Sequence, residues 1–183
     1  MADSHDVIEL PATWVSRWAT QVQPGGRVLD VACGHGRHAR WFAARGHPVD
    51  AVDRNADALA TLAGVANITT LCADLEREGG IWPYQGSRSA YACVVVTNYL
   101  LRPLFPYLIE ALASGGVLIY ETFALGNERF GRPSNPDFLL KPGELLEIVR
   151  GRLFVQAYED LVVDAPRPAR VQRICAVHAT NAV

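Results

Sequence analysis

Apolar residues along this chain fall in short bursts, and their spacing alternates between helical and extended rhythms. Trp14, Trp18 and Val22 recur at i, i+4 and i+8, which predicts a short helix over 11–23, ended by Pro24-Gly25-Gly26. Residues 27–32 (RVLDVA) read instead as a buried strand, followed by a glycine loop and a helix over 38–44 that Gly46 stops. A second strand is predicted over 48–52. Asn55 is placed to cap a helix running to about Leu62, and 68–72 forms a third strand. The fourth, 91–96 (YACVVV), is apolar on both faces, as a central parallel strand requires.

The second half continues the alternation. A helix is predicted over 103–113, turned by Ser114-Gly115-Gly116 into a strand over 117–120. Residues 123–141 read as a long loop carrying Gly126, Gly131, Pro133 and Pro136. A helix over 142–149 follows, with Pro142 in its first turn. Two strands, 154–158 and 171–177, close the chain, joined by the hairpin-like 165–168 (APRP). A β-α repeat ending in a strand pair predicts an α/β fold, a mostly parallel sheet with helices on both faces. With 183 residues, the chain has the length of a single domain, 1–183, with 1–24 as an N-terminal helical segment.

Composition narrows the functional classes. Half the residues are hydrophobic, the net charge is -2 and there is no basic run, which argues against a duplex nucleic-acid binder. Lys141 is the only lysine. The four cysteines, Cys33, Cys72, Cys93 and Cys175, form no C-x-x-C pair, and three lie in apolar strand-like runs. That pattern suits free thiols in a reducing cytosol and gives no support to a zinc site. His5, His47 and His178 show no metal spacing with the other histidines, so no metal is expected. No apolar run reaches membrane-spanning length, and the N-terminus lacks the basic-then-apolar pattern of a signal peptide, so a cytoplasmic protein is expected.

The candidate chemistry gathers at the predicted strand ends, where open parallel sheets bind ligands. The first strand runs into VLDVACGHGRHA, in which Gly34 and Gly36 let the backbone turn sharply and approach a ligand. Taken alone, Gly34-x-Gly36-x-x-Ala39 also fits a dinucleotide fingerprint. Asp30, near the end of an apolar strand, needs a partner: either the ammonium of a methionine moiety or local backbone amides. Asp53 ends the second strand, 19 residues after Gly34, and either accepts from two ribose hydroxyls or caps the next helix. Asp74, after the third strand, could accept from an adenine amino group while the Leu75 amide donates to a ring nitrogen. Asn98, after the fourth, could present its carbonyl to a cofactor ammonium.

With these four strand ends in place, the chain resembles the class I S-adenosylmethionine-dependent methyltransferases from Arg27 to His178. DVACGHGRHA stands close to that family's D-x-x-C-G-x-G pattern; its ribose acid falls on Asp53, its adenine acid on Asp74 and its fourth-strand motif on Asn98-Tyr99-Leu100. The loop also looks like that of the tellurite-resistance and thiopurine-type branches. The resemblance implies a Rossmann-like three-layer sandwich, with a seven-stranded, mostly parallel sheet and an antiparallel C-terminal strand. It implies S-adenosylmethionine as cofactor, S-adenosylhomocysteine as product, and a cofactor site of Asp30, Cys33, Gly34, Gly36, Asp53, Arg54, Asp74, Leu75 and Asn98.

In-line transfer of an activated methyl needs alignment and exclusion of water more than a dedicated base. Tyr99, Arg102, Glu121, Thr122 and Phe123 should border the methyl, with Tyr99 and Glu121 the candidate catalytic groups. Each has a plain structural alternative, wall packing for Tyr99 and a helix-facing role for Glu121. The 123–141 loop adds Asn127, Arg129, Arg132 and Asn135. Its arginines either clamp an anionic acceptor or face solvent. His35 and His38 either shape the loop or face solvent, and Trp41 and Phe42 either pack the core or stack on adenine. Nucleic-acid amino methyltransferases carry a proline pair after this asparagine, whereas this chain has Asn98-Tyr99-Leu100-Leu101. The acceptor is therefore expected to be a small molecule. RNA or protein methylation, or cofactor binding without turnover, are the alternatives.

Overall fold

The computed structural model describes residues 10–77, 82–84 and 88–179. The first nine residues of the expected N-terminal segment, His5 among them, lie outside the described residues. The strands are β1 (Val28–Val31), β2 (Val49–Asp53), β3 (Ile68–Cys72), β4 (Tyr91–Thr97), β5 (Leu112–Phe123), β6 (Leu153–Val163) and β7 (Ala169–His178). They form one sheet in the order β3-β2-β1-β4-β5-β7-β6. The first five are parallel, and β7 runs antiparallel to both β5 and β6. This is the α/β Rossmann-like arrangement with an antiparallel C-terminal strand that the sequence implies.

Helices cover both faces. On one, Trp14 and Val15 of α1 (Thr13–Trp18), Phe42 of α2 (Arg37–Ala43) and Leu59 of α3 (Ala56–Ala60) pack on Val28, Val95 and Ile119. On the other, Phe105 and Leu108 of α4 (Phe105–Ala111) and Leu145 and Val149 of α5 (Glu144–Val149) pack on Leu29, Val94 and Leu118. Strands β1 and β4 lie between both layers, so every β1 residue is buried. At the edge, β3 is half-exposed, in keeping with its two threonines. No described helix is long and apolar enough to cross a membrane.

The structure departs from the predicted elements at the junction before β5. The helix expected over 103–113 is a 3₁₀ turn at Arg102–Leu104 followed by α4, and β5 begins at Leu112. The Ser114-Gly115-Gly116 segment is therefore a bulge inside β5 rather than a turn before it. Leu112 pairs with Tyr91 and Val117 with Cys93, and the extra β5 residues arch between them. Glycine is required there because a Cβ at 116 would sit 2.7 Å from the Tyr91 carbonyl oxygen, and Gly115 has φ +75°. The terminal strands also extend well beyond their predicted limits, through a ladder from Leu153↔His178 to Val163↔Ala169.

Candidate active site

The glycine loop begins where β1 ends. Ala32 and Gly34 have φ of +53° and +56°, and the Cys33 amide between them donates to the Val52 carbonyl at 3.0 Å, tying the loop to β2. Positive φ is uncommon for alanine, so tertiary contacts hold this turn. The two glycines serve different needs. A Cβ at Gly36 would lie 2.6 Å from the Leu62 side chain, whereas one at Gly34 would meet nothing within 4 Å. Gly36 lets α2 start close against the chain below it, and Gly34 leaves open space above the loop.

Carboxylates hold this loop in shape. Asp53 accepts from the Gly34 amide through Oδ2 and from the Asn55 amide through Oδ1, both at 2.8 Å. It is not the cap of α3: Asn55 fills that place, its side chain accepting from the Asp57 and Ala58 amides. Asp30 is buried and accepts from the Ala39 amide, in the first turn of α2, at 2.9 Å. Burial pushes its carboxyl up to about 7, against the lowering pull of the Ala39 bond and of Arg37. Asp74 accepts from the Glu76 amide at 3.0 Å, closing a tight turn around Leu75. His38 is buried beneath the loop; desolvation lowers its pKa to about 3, and its Nε2 accepts from the Ala12 amide at 3.1 Å.

Above these groups lies a cleft of about 140 Å³ at the ends of β1, β2 and β3. Asp53, Arg54, Asp74 and Leu75, all expected at a cofactor site, line it together with Ala32 and Tyr99. Asp30, Cys33, Gly34 and Gly36 do not line it; they belong to the end of β1 and the turn after it, from which Ala32 alone reaches the cleft. The Cys33 thiol is buried and desolvation raises its pKa, so it stays protonated. Trp41 and Phe42 lie on α2 away from the cleft, Phe42 in the core and Trp41 under the Arg45 guanidinium, 3.6 Å from its ring centre.

A second chamber of about 210 Å³ adjoins the first, sharing Glu76 and Tyr99 with it. Asn98 lines this chamber rather than the first, with φ +55° and its amide bonded to the Glu121 carbonyl at 2.9 Å. Leu100, Thr122, Phe123 and Phe138 supply most of the remaining wall. The Tyr120 hydroxyl donates to the Tyr99 carbonyl at 2.6 Å and fixes the turn after β4. Burial raises the pKa of the Tyr99 phenol, and the neighbouring carboxylates of Glu76 and Asp74 raise it further. The Tyr99 phenol therefore stays protonated at neutral pH and can donate a hydrogen bond.

Several expected acceptor residues have other work. Glu121 lines neither chamber; its carboxylate pairs with Arg173 at 3.2 Å on the sheet face that carries α1. Arg102 spends its guanidinium on Glu144, at 2.6 and 3.0 Å, and on the carbonyls of Asp137 and Leu139. It is a staple for the loop, not an acceptor clamp. Arg129 is exposed and lines neither chamber. Asn135 caps the 3₁₀ turn Pro136–Phe138. Asn127 is buried, donating to the Pro133 carbonyl at 2.9 Å and accepting from the Arg170 amide at 3.1 Å.

The loop itself is ordered by its ends. Ala124 bridges Leu140 in parallel, and the Leu140 amide donates to the Phe123 carbonyl at 2.9 Å, so the intervening residues form a closed Ω-like excursion. Sequence reasoning missed Glu76, Pro133 and Phe138, which all line the second chamber. Glu76 had a usable signal, since it follows Asp74 by two residues on a loop already marked as functional.

A family model described as a methyltransferase domain matches residues 28–116. No curated protein sequence matches the chain. Among solved structures the chain is similar to TehB from Haemophilus influenzae, with TM-score 0.74 and 19% identity over 92% of this chain; it spans 62% of the TehB chain's length. It is similar to an S-adenosylmethionine dependent methyltransferase from Mesorhizobium loti, with TM-score 0.69 and 17% identity over 91% of this chain and 98% of that one. It is also similar to geranyl diphosphate C-methyltransferase from Streptomyces coelicolor A3(2), with TM-score 0.64 and 16% identity over 90% and 76%.

Proposed function

We propose that this chain is a methyltransferase dependent on S-adenosylmethionine that transfers the methyl group to a small organic acceptor seated between the end of β4 and the 123–141 loop. The observation that carries the reading is the pair of chambers that meet at Tyr99 and Glu76, one lined by Ala32, Asp53 and Asp74 and one walled by Phe123 and Phe138. The cofactor supplies a sulfonium-bound methyl group that needs no further activation. The first chamber suits it: Gly34 leaves open space, and Asp53 and Asp74 line the chamber with carboxylates able to accept from ribose hydroxyls and an adenine amino group. The Streptomyces relative, a C-methyltransferase, is in complex with S-adenosyl-L-homocysteine.

The protein's own task is then positioning and exclusion of water. Tyr99 donates a hydrogen bond to the acceptor from the chamber boundary. Glu76, the carboxylate shared by both chambers, takes the acceptor's proton where one must leave; it replaces Glu121 in that role. Asp30, behind the glycine loop, serves the methionine ammonium indirectly by holding the start of α2. A chamber of about 210 Å³ with Leu100, Phe123 and Phe138 in its wall suits a compact, partly apolar molecule better than a polymer.

The test is incubation with methyl-labelled S-adenosylmethionine and a cell extract separated into small-molecule, RNA and protein fractions. Label that depends on the enzyme is expected in the small-molecule fraction, and is lost in Tyr99→Phe/Glu76→Gln. Label recovered in RNA or protein instead would overturn the small-molecule reading.

A further inference from the structure

The loop and the terminal hairpin build a third cleft, of about 450 Å³, outside the second chamber. The two meet at Pro133 and Phe138, which line both. Arg132 and Arg167 line this outer cleft together with Ser134 and Asn135, and no carboxylate lines it. Neither guanidinium has an ion-pair partner among the described residues. On the neighbouring framework Arg102 pairs with Glu144, Arg170 with Asp160, and Arg173 with Glu121 and Glu159. The two free arginines reach the cleft from segments far apart in the chain. Asn127 joins those segments, its amide bonded to the Pro133 carbonyl and its oxygen to the Arg170 amide, so the cleft is held by a buried polar strut.

We infer that the outer cleft is an anion subsite, and that the acceptor is an amphiphilic small molecule: an apolar body in the inner chamber and an anionic group, such as a carboxylate, between Arg132 and Arg167. This rests on the acceptor reading above and names its substrate class. The inner wall is apolar where Leu100, Phe123 and Phe138 lie, and Phe138 is half-exposed at the passage, an arrangement that favours an aromatic or alkyl segment. Two unpaired guanidiniums in a cleft with no carboxylate offer forked, charge-assisted hydrogen bonds to a carboxylate. The subsite lies away from the cofactor chamber and shares none of its lining residues. It therefore acts on acceptor affinity and orientation rather than on the donor.

The test uses protein saturated with S-adenosylhomocysteine and titrated calorimetrically with ω-phenylalkanoates, from phenylacetate to 6-phenylhexanoate, and with their uncharged primary amides. At least one carboxylate is expected to bind one site per chain at least tenfold more tightly than its amide. In Arg132→Gln/Arg167→Gln the difference should vanish, with S-adenosylhomocysteine affinity and thermal midpoint unchanged. Equal binding of acid and amide, absence of binding across the series, or a preference that survives the double substitution would overturn the inference. Failure of S-adenosylhomocysteine to bind in the preliminary titration would instead defeat the donor reading. The same anion series on the unloaded protein would then still decide the subsite.

Discussion

Two carboxylates buried in adjacent strands show how differently this sheet treats charge on its two faces. Asp50 of β2 faces the α4 side, where Arg27 grips both its oxygens at 2.8 and 2.9 Å and the Tyr91 hydroxyl donates at 2.6 Å. Asp30 of β1 faces the α2 side, is just as buried, and has one backbone amide to rest on. The first is a closed network, complete within the protein. The second is held at the edge of ionisation beneath the cofactor chamber. Complete partnering marks a carboxylate as structural, and incomplete partnering next to a cleft marks one as functional.

The largest effect should come from breaking the closed network. Asp50→Ala strands the Tyr91 hydroxyl and Arg27 and should lower unfolding free energy by about 2–4 kcal/mol, the lower part of that range if half-exposed Arg27 rehydrates. Urea unfolding checks this, and S-adenosylhomocysteine affinity of the folded protein should not move. A loss below 1 kcal/mol would show that the network contributes little and would blur the contrast with Asp30.

Asp30 should behave in the opposite way. Its folded pKa, about 7, lies above the unfolded value near 3.8, so the folded state holds the proton more tightly. The associated stability is fully present below about pH 4 and is lost as pH rises through 7. Asp30→Asn keeps a neutral side chain that can accept from Ala39, so it should remove this slope and raise stability at pH 8, where the native carboxylate is buried in its charged form. Cofactor affinity should fall in the same variant. Parallel stability-pH curves for the two proteins would mean that burial does not raise the Asp30 pKa.

The smaller effect belongs to Asp53, which is partly open to the chamber. Asp53→Ala should weaken S-adenosylhomocysteine at least tenfold, about 1.4 kcal/mol, while the fold survives. Because Asp53 also holds the Gly34 amide, Asp53→Asn separates the two roles: it keeps an acceptor for the loop and loses the charge. Unchanged affinity in a folded Asp53→Ala variant would confine this residue to loop shape.

The two halves of the site differ in how far sequence reveals them. At β1 to β3 the residues that line the first cleft end a strand or begin the next turn, so the places of Asp53, Asp74 and Leu75 beside it are legible from strand boundaries alone. The acceptor half depends on contacts made far along the chain. Glu121 looks available until β7 brings Arg173 beside it, and Arg102 looks like a clamp until Asp137, Leu139 and Glu144 surround it. Likewise Arg132 and Arg167 share a cleft because of the Asn127 strut, which no local pattern announces. The bulge in β5 stayed hidden for a related reason. Ser114-Gly115-Gly116 has the composition of a turn, and only the close approach of Tyr91 shows why glycine is needed inside a strand.

The proposed function gives the first chamber to S-adenosylmethionine rather than to a dinucleotide, which the Gly34-x-Gly36 segment would also allow. Competitive calorimetry with the native protein decides between them. S-adenosylhomocysteine should bind one site per chain, and saturating NAD or NADP should neither compete with it nor give heat of its own at that site. Tight NAD binding that S-adenosylhomocysteine cannot displace would contradict the account.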